Sequence, residues 1–230
     1  MLFKSLTIIL SVLIFSGCIQ KELSHTVLDE NGKKGVIFED GNIKIKPVYS
    51  NIVYFSLNNT TYAIVKNSND KTGIINKKGK LIVKPIYDSI SPYFNNYSKI
   101  EVAGKFGLIN TEFKVILKPI YDSIDQFIGD IAIIKQNDKY GCIDKNINLK
   151  VKPSYDRIYF QQEKFIRTEL MNKWGYLDNN CNVIVKPIYD YGYDFSNGIA
   201  KVIINDKVAY LNSKGKLITK PIFTKQSSSF

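Results

Sequence analysis

One histidine, one tryptophan, two methionines and three cysteines in 230 residues leave few parts from which to assemble catalytic or metal chemistry. A Ser-His-Asp triad, an HExxH zinc site or a Cys/His finger cannot be built around His25, which stands alone near one end of the chain. Cys18, Cys142 and Cys181 form no C-x-x-C pair, so the usual thiolate metal signatures are missing too. No segment keeps a helical period over ten residues. The one long apolar run, Leu6–Phe15, is too short to span about 30 Å of hydrocarbon comfortably. What is present is a foldable composition. Hydrophobic residues make up 44% and aromatics 13%, with 15 Tyr and 13 Phe, which excludes a disordered chain. The 32 basic and 21 acidic residues give a net charge of +11.

The first residues read as a processing signal. Lys4 precedes the apolar run, and Ser16-Gly17 lead from it to Cys18, the layout of a secretory signal. A Cys directly after that small-residue exit resembles the lipobox of bacterial lipoproteins, with Phe15 where Leu is usual. The resemblance implies cleavage after residue 17, lipidation of Cys18 with palmitate-type chains, and anchoring to a bacterial membrane facing the periplasm or exterior. Stable anchoring needs more than one acyl chain, which a lipidated N-terminal Cys supplies. Residues 1–17 are then the signal, 18–23 a tether and 24–223 one repeat domain, with 224–230 a tail.

Six in-phase copies of one unit fill the domain. Lys-Pro occurs at Lys46, Lys84, Lys118, Lys152, Lys186 and Lys220, at intervals of 38, 34, 34, 34 and 34. A second marker, Lys-x-Gly-x-Ile/Leu-Asn/Asp, keeps the same phase, as in Lys71–Asn76, Lys105–Asn110, Lys139–Asp144 and Lys173–Asp178. Each marker Gly stands eleven residues before its Lys-Pro lysine, with Ala209 replacing Gly in the last copy. The four extra residues of the first interval fall near Asn58–Thr61. Each unit reads as three short β-strands, with a turn before the third. Gly41, Gly79 and Gly215 hold that turn in three copies and suit a positive φ. Phe113, Ile147 and Cys181 hold it in the others, so the turn type is expected to vary. Pro near the end of the third strand suits an edge position.

The pattern resembles the WG repeat family, also called KWG repeats. The copy nearest the family's unit combines Phe195–Ala200, Lys173–Asp178 and Val183–Asp190. The namesake Trp survives once, as Trp174. The resemblance spans about residues 24–223 and implies a binding or interaction repeat without catalytic residues. Such units cannot bury a core alone and must stack. The expected fold is all-β: six three-stranded repeats of about 34 residues stacked as an open β-solenoid-like array. A six-bladed β-propeller is the alternative; propeller blades normally have four strands and more residues.

Three residue sets are candidates for function. The Lys-Pro lysines can form a cationic row for an anionic polymer, lipid head groups or an acidic partner. The structural counter-reading has each stem covering apolar surface while its head pairs with a carboxylate four residues on, Asp88, Asp122, Asp156 or Asp190. Tyr49, Tyr87, Tyr121, Tyr155, Tyr189 and Phe223, together with Phe94, Phe127, Phe160 and Phe195, recur in phase and are expected in the inter-repeat core. Trp174, being singular, joins the candidate binding residues. Cys142 and Cys181 occupy different repeat positions and are expected as free thiols. The acids at repeat positions, Asp144 and Asp178 among them, suit turns. The expectation is a non-catalytic envelope lipoprotein with no cofactor, no metal and no nucleic acid partner. It engages an envelope protein through arms that differ between copies, Ser91–Tyr97, Gln161–Lys164 and Asn58–Thr61. Binding of glycan or anionic envelope polymer through a lysine or aromatic row is the alternative.

Overall fold

The computed structural model describes residues 7–8, 24–38, 43–93, 96–160 and 165–223. Cys18, the rest of the tether, Phe94, Gln161–Lys164 and the tail lie outside them. All regular structure is β, arranged in six four-stranded antiparallel sheets in chain order. Sheet 1 contains β1 (Thr7–Ile8), β2 (Ser24–Leu28), β3 (Lys34–Phe38) and β4 (Ile43–Tyr49). Sheet 2 contains β5 (Asn51–Leu57), β6 (Thr60–Lys66), β7 (Thr72–Asn76) and β8 (Leu81–Tyr87). Sheet 3 contains β9 (Ser89–Ile90), β10 (Tyr97–Val102), β11 (Lys105–Asn110) and β12 (Val115–Tyr121). Sheet 4 contains β13 (Ser123–Ile124), β14 (Ile131–Gln136), β15 (Lys139–Asp144) and β16 (Leu149–Tyr155). Sheet 5 contains β17 (Arg157–Phe160), β18 (Phe165–Leu170), β19 (Lys173–Asp178) and β20 (Val183–Tyr189). Sheet 6 contains β21 (Tyr191–Ser196), β22 (Ile199–Ile204), β23 (Lys207–Asn212) and β24 (Ile222–Phe223).

The all-β repeat array expected from the sequence is present, and no sheet closes on itself as a barrel. Each repeat has its three expected strands and gains a further one, β1 in sheet 1 and, in sheets 2–6, the segment that follows the Tyr closing the previous copy. This strand is as short as two residues in β9 and β13, so alternation could not reveal it. The insertion near Asn58–Thr61 lengthens one hairpin. There β5 and β6 pair in register from Asn51↔Lys66 to Leu57↔Thr60.

The chain forms two compact units, residues 1–119 and 120–230. Within each, the core lies between successive sheets. In the first, Val36 and Ile45 of sheet 1 pack with Ala63, Val65 and Ile75 of sheet 2. Ile74, Val83 and Tyr87 of sheet 2 meet Ile90, Ile100 and Ile109 of sheet 3. In the second unit, Ile131, Cys142 and Tyr155 of sheet 4 meet Ile166 and Leu177 of sheet 5. Tyr176, Val185 and Tyr189 of sheet 5 meet Phe195, Ala200 and Val202 of sheet 6. The repeated Tyr87, Tyr155 and Tyr189 therefore pack between successive sheets of one unit, because one sheet has too little apolar surface to bury by itself.

The turn before the fourth strand does not vary as expected. Gly79, Phe113, Ile147, Cys181 and Gly215 all take positive φ, between 63° and 75°. The cause lies three residues earlier in the motif. The side-chain oxygen of Asn76, Asn110, Asp144, Asp178 and Asn212 accepts two backbone N–H bonds across the turn, at 2.8–3.0 Å. This Asx cradle holds the loop whatever side chain occupies the left-handed position.

Candidate interaction surfaces

The motif glycine and the Lys-Pro pair are two halves of one contact. In sheet 5, Trp174 pairs with Tyr189 and Tyr176 with Val185. Gly175 alone therefore stands opposite Lys186-Pro187-Ile188, and the edge strand bulges there. A Cβ on Gly175 would lie 2.5 Å from the Val185 carbonyl oxygen and 2.7 Å from the Pro187 nitrogen. Gly35, Gly73, Gly107 and Gly141 are equally tight against Ile45, Val83, Leu117 and Val151, at 2.4–2.5 Å. Pro is tolerated at the bulge because no ladder hydrogen bond is needed from its nitrogen. The bulge turns the Lys-Pro lysine outward. Lys46, Lys84, Lys118, Lys152, Lys186 and Lys220 are all exposed. Among the described residues their ammonium groups make no ion pair or hydrogen bond.

The carboxylates assigned to those lysines from the sequence are used elsewhere. Asp88 pairs with Lys71, Asp156 with Lys139 and Asp190 with Lys173, each with the lysine of the Lys-x-Gly motif. Their second oxygens accept from the backbone N–H of Ala103 (2.6 Å), Met171 (2.7 Å) and Asn205 (2.6 Å). Each of those residues opens a tight hairpin in the next sheet, so every Asp clips one sheet to its successor. In sheet 1, Lys34 reaches Asn51 instead, at 2.8 Å. The lysine hydrogen bond, then the backbone N–H, holds all three carboxyls below the ordinary carboxylate range. A lowered folded-state pKa means the clips contribute above the unfolded value, about 4. That contribution is lost as pH falls through the lower folded value. Urea midpoints should therefore drop in this acid range. A triple variant of Asp88, Asp156 and Asp190 to Asn should start less stable near neutrality and show a shallower acid limb. An unchanged limb would remove the clips from the acid response.

Trp174, a candidate from the sequence, is only 8% exposed. Its ring lies 5.9 Å from Tyr159 and 5.2 Å from Tyr191, and the Arg167 guanidinium sits 4.6 Å above it. Arg167 also donates to the Gly192 carbonyl at 2.8 Å and approaches Asp194 at 3.3 Å. Cation–π contact and packing occupy the Trp face. The accessible aromatic surface belongs instead to Tyr159, Tyr191 and Tyr193, each 38–39% exposed. Residue counts along the sequence did not find these tyrosines, since they belong to the fourth strands β17 and β21, which were not foreseen. Among the variable arms, the Asn58–Thr61 hairpin is exposed at Asn58, Asn59 and Thr61. Tyr93, by contrast, bonds the Asn110 carbonyl at 2.9 Å and packs against the core between sheets 2 and 3.

Cys142 and Cys181 are not free thiols. They form a disulfide with Cα atoms 6.5 Å apart, joining β15 of sheet 4 to the turn after β19 in sheet 5. Both residues are buried. Among the described residues, no group of three or more His, Cys, Asp or Glu converges as a metal site.

Stacked four-stranded sheets with a phase-locked Gly–Pro contact define an all-β repeat protein. Residues 35–71, 73–106, 106–140, 140–174 and 174–207 match the model of the WG containing repeat, and the chain belongs to that family. No curated protein matches the chain. Solved structures with a related trace include Kluyveromyces lactis Hsv2, at 8% identity and TM-score 0.31 over 90% of this chain and 78% of that one. A eukaryotic initiation factor matches at 10% identity and TM-score 0.38 over 86% of this chain and 62% of that one. At these scores the likeness carries no argument about this chain.

Proposed function

We propose that the chain is a lipid-anchored, non-catalytic interaction module of a bacterial cell envelope that binds an envelope protein through residues differing between copies. One observation carries this reading. Apart from the Lys-Pro lysines and the aliphatic residues beside them, the phase-locked residues are taken up by cores, bulges, Asx turns and inter-sheet clips, whereas the Asn58–Thr61 hairpin, unique to one copy, is exposed. Partner recognition on a rigid scaffold commonly falls on such loops. The anchor is tested by metabolic labelling with a fatty-acid analogue: the wild type should label, and Cys18→Ser should not. Equal labelling of both would end the anchored reading.

The interaction is tested with Asn58→Asp/Asn59→Asp. This variant adds charge to the hairpin while keeping residue types that tolerate φ of 49° and 57°. It should weaken capture of envelope protein at least tenfold (roughly 1.4 kcal/mol) with an unchanged melting curve. Loss only on reversal of the Lys-Pro lysines would replace this reading with polymer binding. A second reading, glycan binding, is favoured by the exposed strip of Tyr159, Tyr191 and Tyr193 beside Trp174. Glycan-array binding abolished by Tyr191→Ser and unaffected at the hairpin would select it.

A further inference from the structure

The edge strands expose a cation and an aliphatic side chain together. On β4, Lys46 is exposed and Val48 is 54% exposed. On β8, Lys84 is followed by Ile86 at 57%, and on β20 Lys186 by Ile188 at 52%. Protection of an edge strand against pairing accounts for the Lys and the Pro. It does not account for the aliphatic residue, since a polar one would serve better, as Ser154 does after Lys152 on β16. Core packing does not account for it either, because these side chains point to solvent. Residues that recur in several copies yet stay more than half exposed read a partner that is itself uniform. A protein partner presents unique features; a bilayer surface presents the same phosphate and acyl boundary everywhere.

We infer that the Lys-Pro-aliphatic edges, Lys46/Val48, Lys84/Ile86 and Lys186/Ile188, are sites that settle on an anionic phospholipid bilayer. The ammonium groups meet lipid phosphates, and the aliphatic side chains enter the head-group/acyl boundary. Charge complementarity selects the anionic leaflet: each Lys held near such a surface strengthens binding roughly fivefold. The aliphatic partner selects lipid over a soluble polyanion, which offers it no apolar phase. The inference rests on the anchored reading only in that the anchor brings the body to a membrane.

The test is amine-reactive footprinting of the full-length protein, read by mass spectrometry. The protein is placed on vesicles of phosphatidylcholine, on vesicles also containing phosphatidylglycerol, or with soluble polyphosphate. Co-flotation with the neutral vesicles reports the anchor separately. Lys46, Lys84 and Lys186 should label several-fold more slowly on anionic than on neutral vesicles. Lys99 and Lys201, two strands from the Lys-Pro edge of their own sheets, should not change. Ile86→Ser/Ile188→Ser should release the protection on vesicles, with the circular dichroism spectrum unchanged. Equal labelling of the edge lysines on both vesicle types overturns the inference. So does equal protection by polyphosphate that ignores the Ile substitutions, which would make the occupant a soluble polyanion.

Discussion

Gly175→Ala should lower the melting temperature by about 6–12 °C, the shift expected when about 3 kcal/mol of overpacking is forced into a domain of this size. The added methyl would face the Val185 carbonyl oxygen at 2.5 Å, the Pro187 nitrogen at 2.7 Å and the Lys186 carbonyl carbon at 2.8 Å. All three are backbone atoms, so no side chain can rotate away. The bulge must open, and with it the seat of Tyr189, which is buried between sheets 5 and 6. Gly104→Ala is the matched control. Its Cβ would meet nothing within 4 Å, though its φ is 72°. It should cost only the left-handed penalty, about 1–2 kcal/mol. Equal losses in the two variants would show that close approach to the edge strand is not what the motif glycine serves.

The sixth sheet already carries this change in natural form. Ala209 stands in the glycine place, and the pairing of β23 with its edge partner is altered. Lys207 pairs with Phe223 and Val208 with Ile222, one position out of step with Thr72↔Tyr87 in sheet 2. An isolated bridge, Leu211↔Leu217, and a bond from the Tyr210 N–H to the Thr219 hydroxyl, at 3.1 Å, span the gap.

This contact was legible in the sequence as spacing before it had a geometry. The glycine and the Lys-Pro pair keep a separation of eleven residues in the five copies that have the glycine, because each is shaped by the other. The in-phase tyrosines were legible as core for the same reason. The short strands β9 and β13 were not, since two residues show no alternation. The left-handed turns at Phe113, Ile147 and Cys181 were hidden because their conformation is set by Asn110, Asp144 and Asp178, not by the residue that adopts it. The partners of Asp88, Asp156 and Asp190 were misassigned to lysines four residues away. In the sheet those lysines ride the outward bulge, and the nearer cation in space is seventeen residues back. The Tyr159, Tyr191 and Tyr193 surface was invisible with its strands.

Reduction of Cys142–Cys181 should produce the other large effect. The bridge closes a sequence separation of 39 residues, which in the chain-entropy account stabilises by about 4 kcal/mol. Its position follows from the repeat. The residue after the motif glycine in one copy and the left-handed turn residue of the next, one repeat plus five residues along, share the core between their sheets. Ile74 and Phe113, at the same two places in the first unit, belong to one core cluster, and Cys142 and Cys181 occupy those places in the second. Comparing the cysteines within a single copy sets them apart; comparing them across adjacent copies brings them together. Thermal melts with and without a strong thiol reductant should differ by about 8–16 °C for a chain of this length. Cys142→Ala/Cys181→Ala should melt at or below the reduced wild type and ignore the reductant. The pair sits in the core between sheets 4 and 5, so the loss should first expose amides of β15 and β19 to hydrogen exchange, ahead of those in β6 and β7. Coincident melts of oxidised and reduced wild type would mean that packing alone holds the two sheets together and that the cross-link adds nothing to it.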